Sequence, residues 1–370
     1  MNIKDKFDAE RLNLYLGYSF TDKIKLKTEI EFEHGGTGST IELDTQEEFG
    51  EYEQEVEAGG EVKLEQVHID FTIQPYFNIR AGRMKLHLNL AQDIDRPTQY
   101  FTTHRQEMEN EIMPLGWYEN GIQFYGTFLN TFRYEVSVTN GLDSSGFSSR
   151  GWIKNGHQQR FEMVNGNSFA YSARLDYKFG KNKYSYAGIS AYINDAAANR
   201  PKNDMEYSAY VSLFTAHITY EEGPLRFSAV GLYGDLQNSH IISRKNALLS
   251  NKLGVKRTPI GKNALGISAD IGYDVLSIFS PNHKQKLYPF VRYEYYDTMY
   301  QTEGNVVKKS RWERTVYTFG MNWFIHPNIV YKVHYQTRKL GSDHIDPITS
   351  LKTGDKQREN TFSMGIGFSF

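Results

Sequence analysis

Serine and histidine come together in "SSGFSSRGWIKNGH" (144–157), the first place to look for a nucleophile. Nucleophilic catalysis needs a hydroxyl within reach of a base that a third group orients. No nucleophile–base spacing is legible in this stretch. His104, His157, His240 and His283 stand singly, without an HExxH pair or other metal spacing, so neither a metal nor a cofactor is expected. "HGGTGST" (34–40) shares only its glycines with a phosphate cradle and reads as a flexible loop, because the lysine and the following helix are missing. The acid-rich "TIELDTQEEFGEYEQEVEAGGEVKLEQ" (40–66) could collect divalent cations or latch onto a neighbouring subunit. It lacks the defined spacing of an oxygen-ligand loop, and reads as a solvated loop.

Chemistry of another kind lies in charges that alternate with apolar residues. The basic set is Arg80, Arg133, Arg174, Arg226, Arg292, Arg314, Lys332 and Arg338. The acidic set is Glu29, Glu31, Asp70, Glu135, Asp176, Asp270 and Glu294. Along the wall of a water channel such residues decide which ions pass. Paired across neighbouring strands they stiffen that wall instead. Bases slightly outnumber acids, which suggests a weak anion preference or facing rows of opposite sign.

These sets have meaning only if strands carry them. "RLNLYLGYSF" puts Leu12, Leu14, Leu16, Tyr18 and Phe20 on one face, and "IKLKTEIEF" puts Ile24, Leu26, Ile30 and Phe32 opposite Lys25, Lys27, Glu29 and Glu31. The same alternation recurs in "VHIDFTI", "FAYSARLDYKF", "LGISADIGYDV", "LYPFVRYEYY", "TVYTFGMNW" and "IVYKVHYQ". Period two over such lengths is a strand signal. There are about fifteen segments of this kind, mostly near the about 9–11 residues of a tilted strand that crosses a bilayer. The segment 206–220 changes phase midway, as a bulge would make it.

Connections alternate between short (21–23, 74–76, 129–131, 180–183, 221–224, 326–328) and long polar ones (34–61, 87–118, 140–167, 194–205, 235–262, 297–311, 339–359); the link around 276–285 is longer than the short set. Aromatics flank the short turns: Phe20, Tyr76, Phe77, Phe128, Phe132, Tyr177, Tyr184, Tyr220, Trp323 and Phe324. Such side chains favour the lipid headgroup region. The expected fold is all-β, a transmembrane up-and-down antiparallel barrel with short periplasmic turns and long extracellular loops. It occupies 1–370 as one domain, without a plug domain. A soluble propeller would repeat in sequence, and no repeat is present. No segment looks like a layer covering the second face of a sandwich.

Composition agrees. Mean hydropathy is −0.58, and no apolar run approaches the about 20 residues of a membrane helix. The 370 residues include 14% aromatics, suited to pleated half-buried surfaces, and no Cys, which excludes a disulfide scaffold and thiolate metal sites. A formal charge of −2 gives no reason to expect nucleic acid. The chain ends in "TFSMGIGFSF", with Phe362, Met364, Ile366, Phe368 and Phe370 on one face. That ending resembles the C-terminal signal by which the barrel-assembly machinery recognises outer-membrane barrels, with Phe370 as its last residue. Strand directions make the first and last segments parallel, whereas bacterial barrels close with an even count. One more strand, with a signal peptide, is therefore expected upstream of Met1, since "MNIKDKFDAE" has no apolar core; the total becomes about sixteen. The alternative is a fifteen-strand barrel with one parallel pair.

The layout is similar to the phosphate-selective porins (O/P type) of Gram-negative outer membranes. The resemblance rests on "ERLNLYLGYSFTDKIKLKTEIEFE", "FNIRAGRMKLHLNL", "GWYENGIQFYGTF" and "PFVRYEYYD", and covers most of the chain. It implies sixteen strands, a homotrimer set in outer-membrane lipid, and passage of anions or other small hydrophilic solutes past an inward-folded third loop, here 87–118. Asp93, Asp95, Arg96, Arg105 and Glu107 would then form the constriction. Phosphate-selective members rely on clustered Arg and Lys. Here Glu109 and Glu111 add to the acids, and 87–116 contains no Lys. A structural or adhesion barrel with a loop-occluded lumen, and an outer-membrane barrel enzyme, are the other classes.

Overall fold

A computed structural model of the chain describes residues 7–36, 39–47, 51–58, 62–114, 116–158, 164–181, 184–250, 257–279, 284–341 and 358–370, with the backbone alone at 39–47 and 51–58. The strands are β1 (Arg11–Ser19), β2 (Ile24–Glu33), β3 (Ser39–Glu47), β4 (Glu51–Ala58), β5 (Val62–Gln74), β6 (Phe77–Lys85), β7 (Tyr118–Phe128), β8 (Phe132–Asn140) and β9 (Phe169–Lys178). They continue as β10 (Tyr186–Asp195), β11 (Tyr210–Glu222), β12 (Leu225–Leu236), β13 (Asn263–Tyr273), β14 (Lys286–Gln301), β15 (Glu313–His326), β16 (Ile329–Leu340) and β17 (Arg358–Phe368). Short helices α1 (Leu90–Asp93), α2 (Glu107–Ile112), α3 (Ser239–Asn246) and α4 (Leu276–Phe279) lie in the connections.

Fifteen strands join in chain order, β1-β2-β5 and on to β17, each antiparallel to the next. Turns at one end are short; Leu129 and Asn130, at φ 51° and 58°, form a hairpin turn with the positive φ values that match the twist of the flanking strands. The connections at the other end are long, the sixth short-end link being the α4 segment. Among the described residues no ladder joins β1 to β17. Both nevertheless face one stretch of chain: Arg11 Nη1 lies 2.9 Å from Asp95, and Pro97 packs on Gly367. The sheet therefore curls into a barrel.

Its faces invert the rule for soluble proteins. On β14, Val291 is 46% exposed while Arg292 is 5%; on β10, Ile189 is 61% exposed while Ser190 is 5%. Apolar side chains point out and charged ones point in, as lipid outside and a polar lumen require. Phe128, Phe132, Tyr177, Phe179 and Tyr220 form a run of neighbouring rings, with centroids 5.2–6.5 Å apart, beside the short turns. No helix among the described residues is long and apolar enough to cross a membrane; the strands do the crossing.

The structure corrects several details. Phe324 is buried inside, against Tyr288, and does not join the outer aromatic ring. The phase change in 206–220 is no bulge: β11 starts at Tyr210 and pairs without a slip on both sides, and the pattern switches because Val211 and Leu213 face the packed lumen while Phe214 and Ala216 face outward. Register does shift at Glu29/Ile30, Thr72/Gln74, Asn263/Leu265 and Phe324/His326. The acid-rich segment is mostly strand: β3 and β4 pair with each other, and Glu42 lies opposite Glu55 and Asp44 opposite Glu53. Glu is a poor strand former, and its abundance masked the alternation of the backbone. His283 lies outside the described residues.

Candidate functional site: the lumen and its inner loop

Several inward charges meet across neighbouring strands. Arg80 Nε donates to Asp70 at 2.8 Å and its Nη1 to Gln123 at 2.7 Å. Arg133 Nε donates to Asp176 at 2.8 Å, and Arg292 Nη2 to Asp270 at 2.8 Å. Glu29 accepts from Asn13 and Tyr15 at 2.8 Å and from Gln66 at 2.5 Å; Glu31 lies 3.3 Å from Arg11, and Glu135 2.9 Å from His87. Cross-strand pairing of this kind stiffens a barrel wall.

The remaining bases hold the connection 86–117, which runs inside the barrel. Arg174 donates to the carbonyls of His87 (3.2 Å) and Asn89 (3.3 Å) and to Asp93. Arg226 Nη2 donates to the Gln99 carbonyl at 2.8 Å, and Lys332 Nζ to those of Tyr100 and Thr102 at 2.7 and 2.8 Å. Arg338 clasps Glu107 with Nε at 2.6 Å, while Arg314 Nη1 lies 3.9 Å from the same carboxylate. Glu294 accepts the Met108 N–H at 3.0 Å, and Asp95 gathers Lys85 (2.6 Å), Arg11 and Arg105. Arg96 is exposed, and no described residue forms an ion pair with it. Burial alone would raise the Asp93 and Asp95 carboxyls; Arg174 holds the first, and Lys85 with Arg11 the second, below the ordinary carboxylate range.

Sequence reasoning missed a second feature, which is apolar. Met108 and Ile112 of α2, Met113 and Trp117 pack in the lumen on Tyr192, Val211, Leu213, Val230, Leu232, Tyr296 and Val316 of β10–β15. The next outer connection adds Leu142, Trp152 and Ile153, and α3 adds Ile242. Trp152 sits over Gly234, where a Cβ would overlap its ring, and its Nε1 donates to the Gly261 carbonyl at 3.1 Å. At the inner end Phe101 stacks on Phe290, centroids 4.9 Å apart, beside Tyr288, Phe324 and Val330. The β10–β16 side is thus packed with hydrocarbon at two levels, with the polar contacts that hold the inner loop between them. A signal existed: "YVSLFTAHITY" and "LRFSAVGLYGDL" carry apolar residues in both phases, the mark of a strand buried on both faces. His217 and His334, which lie in strands rather than connections, were also missed.

On the β1–β6 side the lumen stays open. A cavity of about 680 Å³ lies between these strands and residues 104–118 and 154–157 of the inner and outer loops. His157 borders it and donates from Nδ1 to the Lys154 carbonyl at 2.9 Å. Burial pushes this imidazole down to about 4, with Arg83, Lys63 and Lys154 adding to the effect. A group depressed from 6.5 stabilises the fold fully above that pH and loses the contribution as pH falls through about 4. Asp143, pushed up to about 6 by burial, acts oppositely: its contribution is present below 3.8 and lost as pH rises through about 6. Between pH 6.5 and 4, protease cleavage of the 141–158 connection should rise more in the native protein than in His157→Gln, a difference that isolates the imidazole.

Among the described residues no group of three or more His, Asp or Glu is arranged to hold a metal. His104 and His240 pair with Glu10 and Glu303, each at 3.1 Å. In 144–157, Ser145 Oγ donates to Asp143 and not to a histidine. Thr103 Oγ1 lies 3.0 Å from His334 Nε2, but that nitrogen also accepts the Thr103 N–H, and His334 Nδ1 has no partner to orient it. This is a loop anchor and lacks the third group of a catalytic triad.

Comparison with known proteins follows the same line. No family model matches the chain. An uncharacterized protein of Aquifex aeolicus is 27% identical over 332 residues, 89% of this chain and 70% of that protein. An anion-selective porin from Comamonas acidovorans superposes with a TM-score of 0.56 at 10% identity, over 97% of this chain and 89% of its own. The outer membrane channel DcaP of Acinetobacter baumannii gives 0.53 at 11% identity, over 98% and 85%. The fold is that of the Gram-negative outer-membrane β-barrels.

Proposed function

We propose that this chain is an outer-membrane porin of a Gram-negative bacterium. The whole chain forms one barrel that lets small hydrophilic solutes diffuse passively. The observation that carries this reading is the coexistence of an exposed apolar outer belt with a polar cavity of about 680 Å³ inside the same sheet. Supporting it, the structural likenesses include an anion-selective porin and an outer membrane channel. Anion preference is weak in this reading, because the basic wall residues are neutralised by carboxylates or spent on loop carbonyls. The resemblance to the phosphate-selective porins supports a homotrimer, testable by a heat-modifiable band on a gel.

Purified protein in liposomes should release small sugars, and in planar bilayers should give discrete conductance steps with a reversal potential near zero. A second reading, a structural barrel with an occluded lumen, is favoured by the packing of 86–117 against the β10–β16 wall. Liposomes that retain both sugars and ions would decide for it.

The C-terminal face, with Phe362, Met364, Ile366, Phe368 and Phe370 all exposed, suits recognition by the barrel-assembly machinery. Deleting Phe370 should lower the yield of assembled barrel in cells while leaving refolding in detergent unchanged, read by the heat-modifiable band.

A further inference from the structure

The lumen is asymmetric. One side is filled: hydrocarbon packs at two levels, with Trp117 and Trp152 above and Phe101 and Phe290 below, and buried polar groups such as Arg292, Asp270 and Glu294 hold the inner loop between them. Reopening it would return that apolar surface to water, which the hydrophobic effect opposes. The floor of the cavity on the other side is ionic, Asp95 holding Arg11, Lys85 and Arg105. Water can take the place of a partner in such contacts and cannot in a packed core.

The lining of that cavity carries both signs, mostly as neighbouring pairs. Glu31 lies 3.3 Å from Arg11 and Glu33 3.8 Å from Lys63 on the strand side, while Arg105 is held by Asp95 and Lys154 lies 3.6 Å from Glu111 on the loop side. An ion of one sign gains from one member of such a pair what it loses to the other. A small molecule with both charges gains at both.

We infer that water and solute cross the barrel off-centre, through this vestibule against β1–β6, and that the favoured solute is small and carries both a carboxylate and an ammonium group. The inference rests on the porin reading above. It also separates this lumen from one lined evenly by the alternating charges of all strands.

The chain has no cysteine, so single-cysteine variants report one position each. Glu33→Cys and Asn110→Cys place a thiol in the vestibule; Ser268→Cys and Thr318→Cys place one on the opposite wall. Each variant is first shown to fold by its heat-modifiable band. Treatment with a bulky methanethiosulfonate in planar bilayers should cut conductance by about half at positions 33 and 110 and leave it unchanged at 268 and 318. Block confined to 268 and 318, or block at none of the four, overturns the route. With the native protein, β-alanine should reduce the ion current more than propionate or propylamine at equal concentration; equal effects overturn the solute class. If the unmodified protein conducts no current, the porin reading itself fails.

Discussion

Arg174→Ala is expected to destabilise the folded barrel by about 3–5 kcal/mol, the usual consequence of removing one partner from a buried ion pair. Arg174 is almost fully buried on β9 and is the point where wall and loop are joined. Its Nε lies 3.0 Å from Asp176, Nη2 reaches Asp93 and lies 3.0 Å from His217 Nε2, and Nη1 donates to the carbonyls of His87 and Asn89. Without it, Asp93 and Asp176 must share Arg133, whose Nη2 is 3.6 Å from Asp93. The buried carboxylates are then under-compensated, and the first half of the inner loop loses its hold on β9. The folded band should convert to the unfolded one at a clearly lower temperature, and conductance should become larger and noisier. Arg174→Lys keeps the charge but not the fork geometry, and should fall between. An unchanged conversion temperature together with unchanged conductance would show that the loop is held elsewhere.

Trp152→Ala should produce an effect of similar size in a different part of the molecule. Truncating a fully buried tryptophan costs about 3–5 kcal/mol, from lost transfer energy and the cavity left behind. Trp152 joins the 141–158 connection to β12 through Gly234 and to the segment just before β13 through the Gly261 carbonyl. It is seated at φ 44°, so backbone strain gives the connection little reason to stay once the ring is gone. The barrel ladders do not depend on this side chain, so the loss should be local. Cleavage of the connection after Lys154 should accelerate by roughly a hundredfold to a few thousandfold, as the open fraction rises with that free energy, while the strands remain protected. A matching drop in the conversion temperature of the whole barrel would instead mean that the cap and the wall unfold as one unit.

Much of the frame was legible because a strand between lipid and lumen leaves a direct mark in sequence. Each second residue must be apolar, so "LYPFVRYEYY" and "TFSMGIGFSF" announce both the strand and its faces. The inward phase followed by simple counting; which of those charges meet, as Asp70 with Arg80 and Asp270 with Arg292, was set by the register of neighbouring strands. The long connection 87–118 stood out by its length and by its acids.

What that connection does was decided only in three dimensions. Lys332 and Thr102 are 230 positions apart, and nothing in either segment indicates that the amine caps the carbonyl. Gly234 reads as a weak spot in β12 until Trp152, far along the chain, fills the space its missing Cβ leaves. The alternation rule assigns each strand residue to oil or to water, but it has no term for a loop that carries its own oil inside. Periodicity is a property of neighbours in the chain and survives in one dimension. The filling of the lumen depends on contacts between distant segments, where shape and desolvation choose the partners, so only the folded barrel could reveal which side is packed and which is left open.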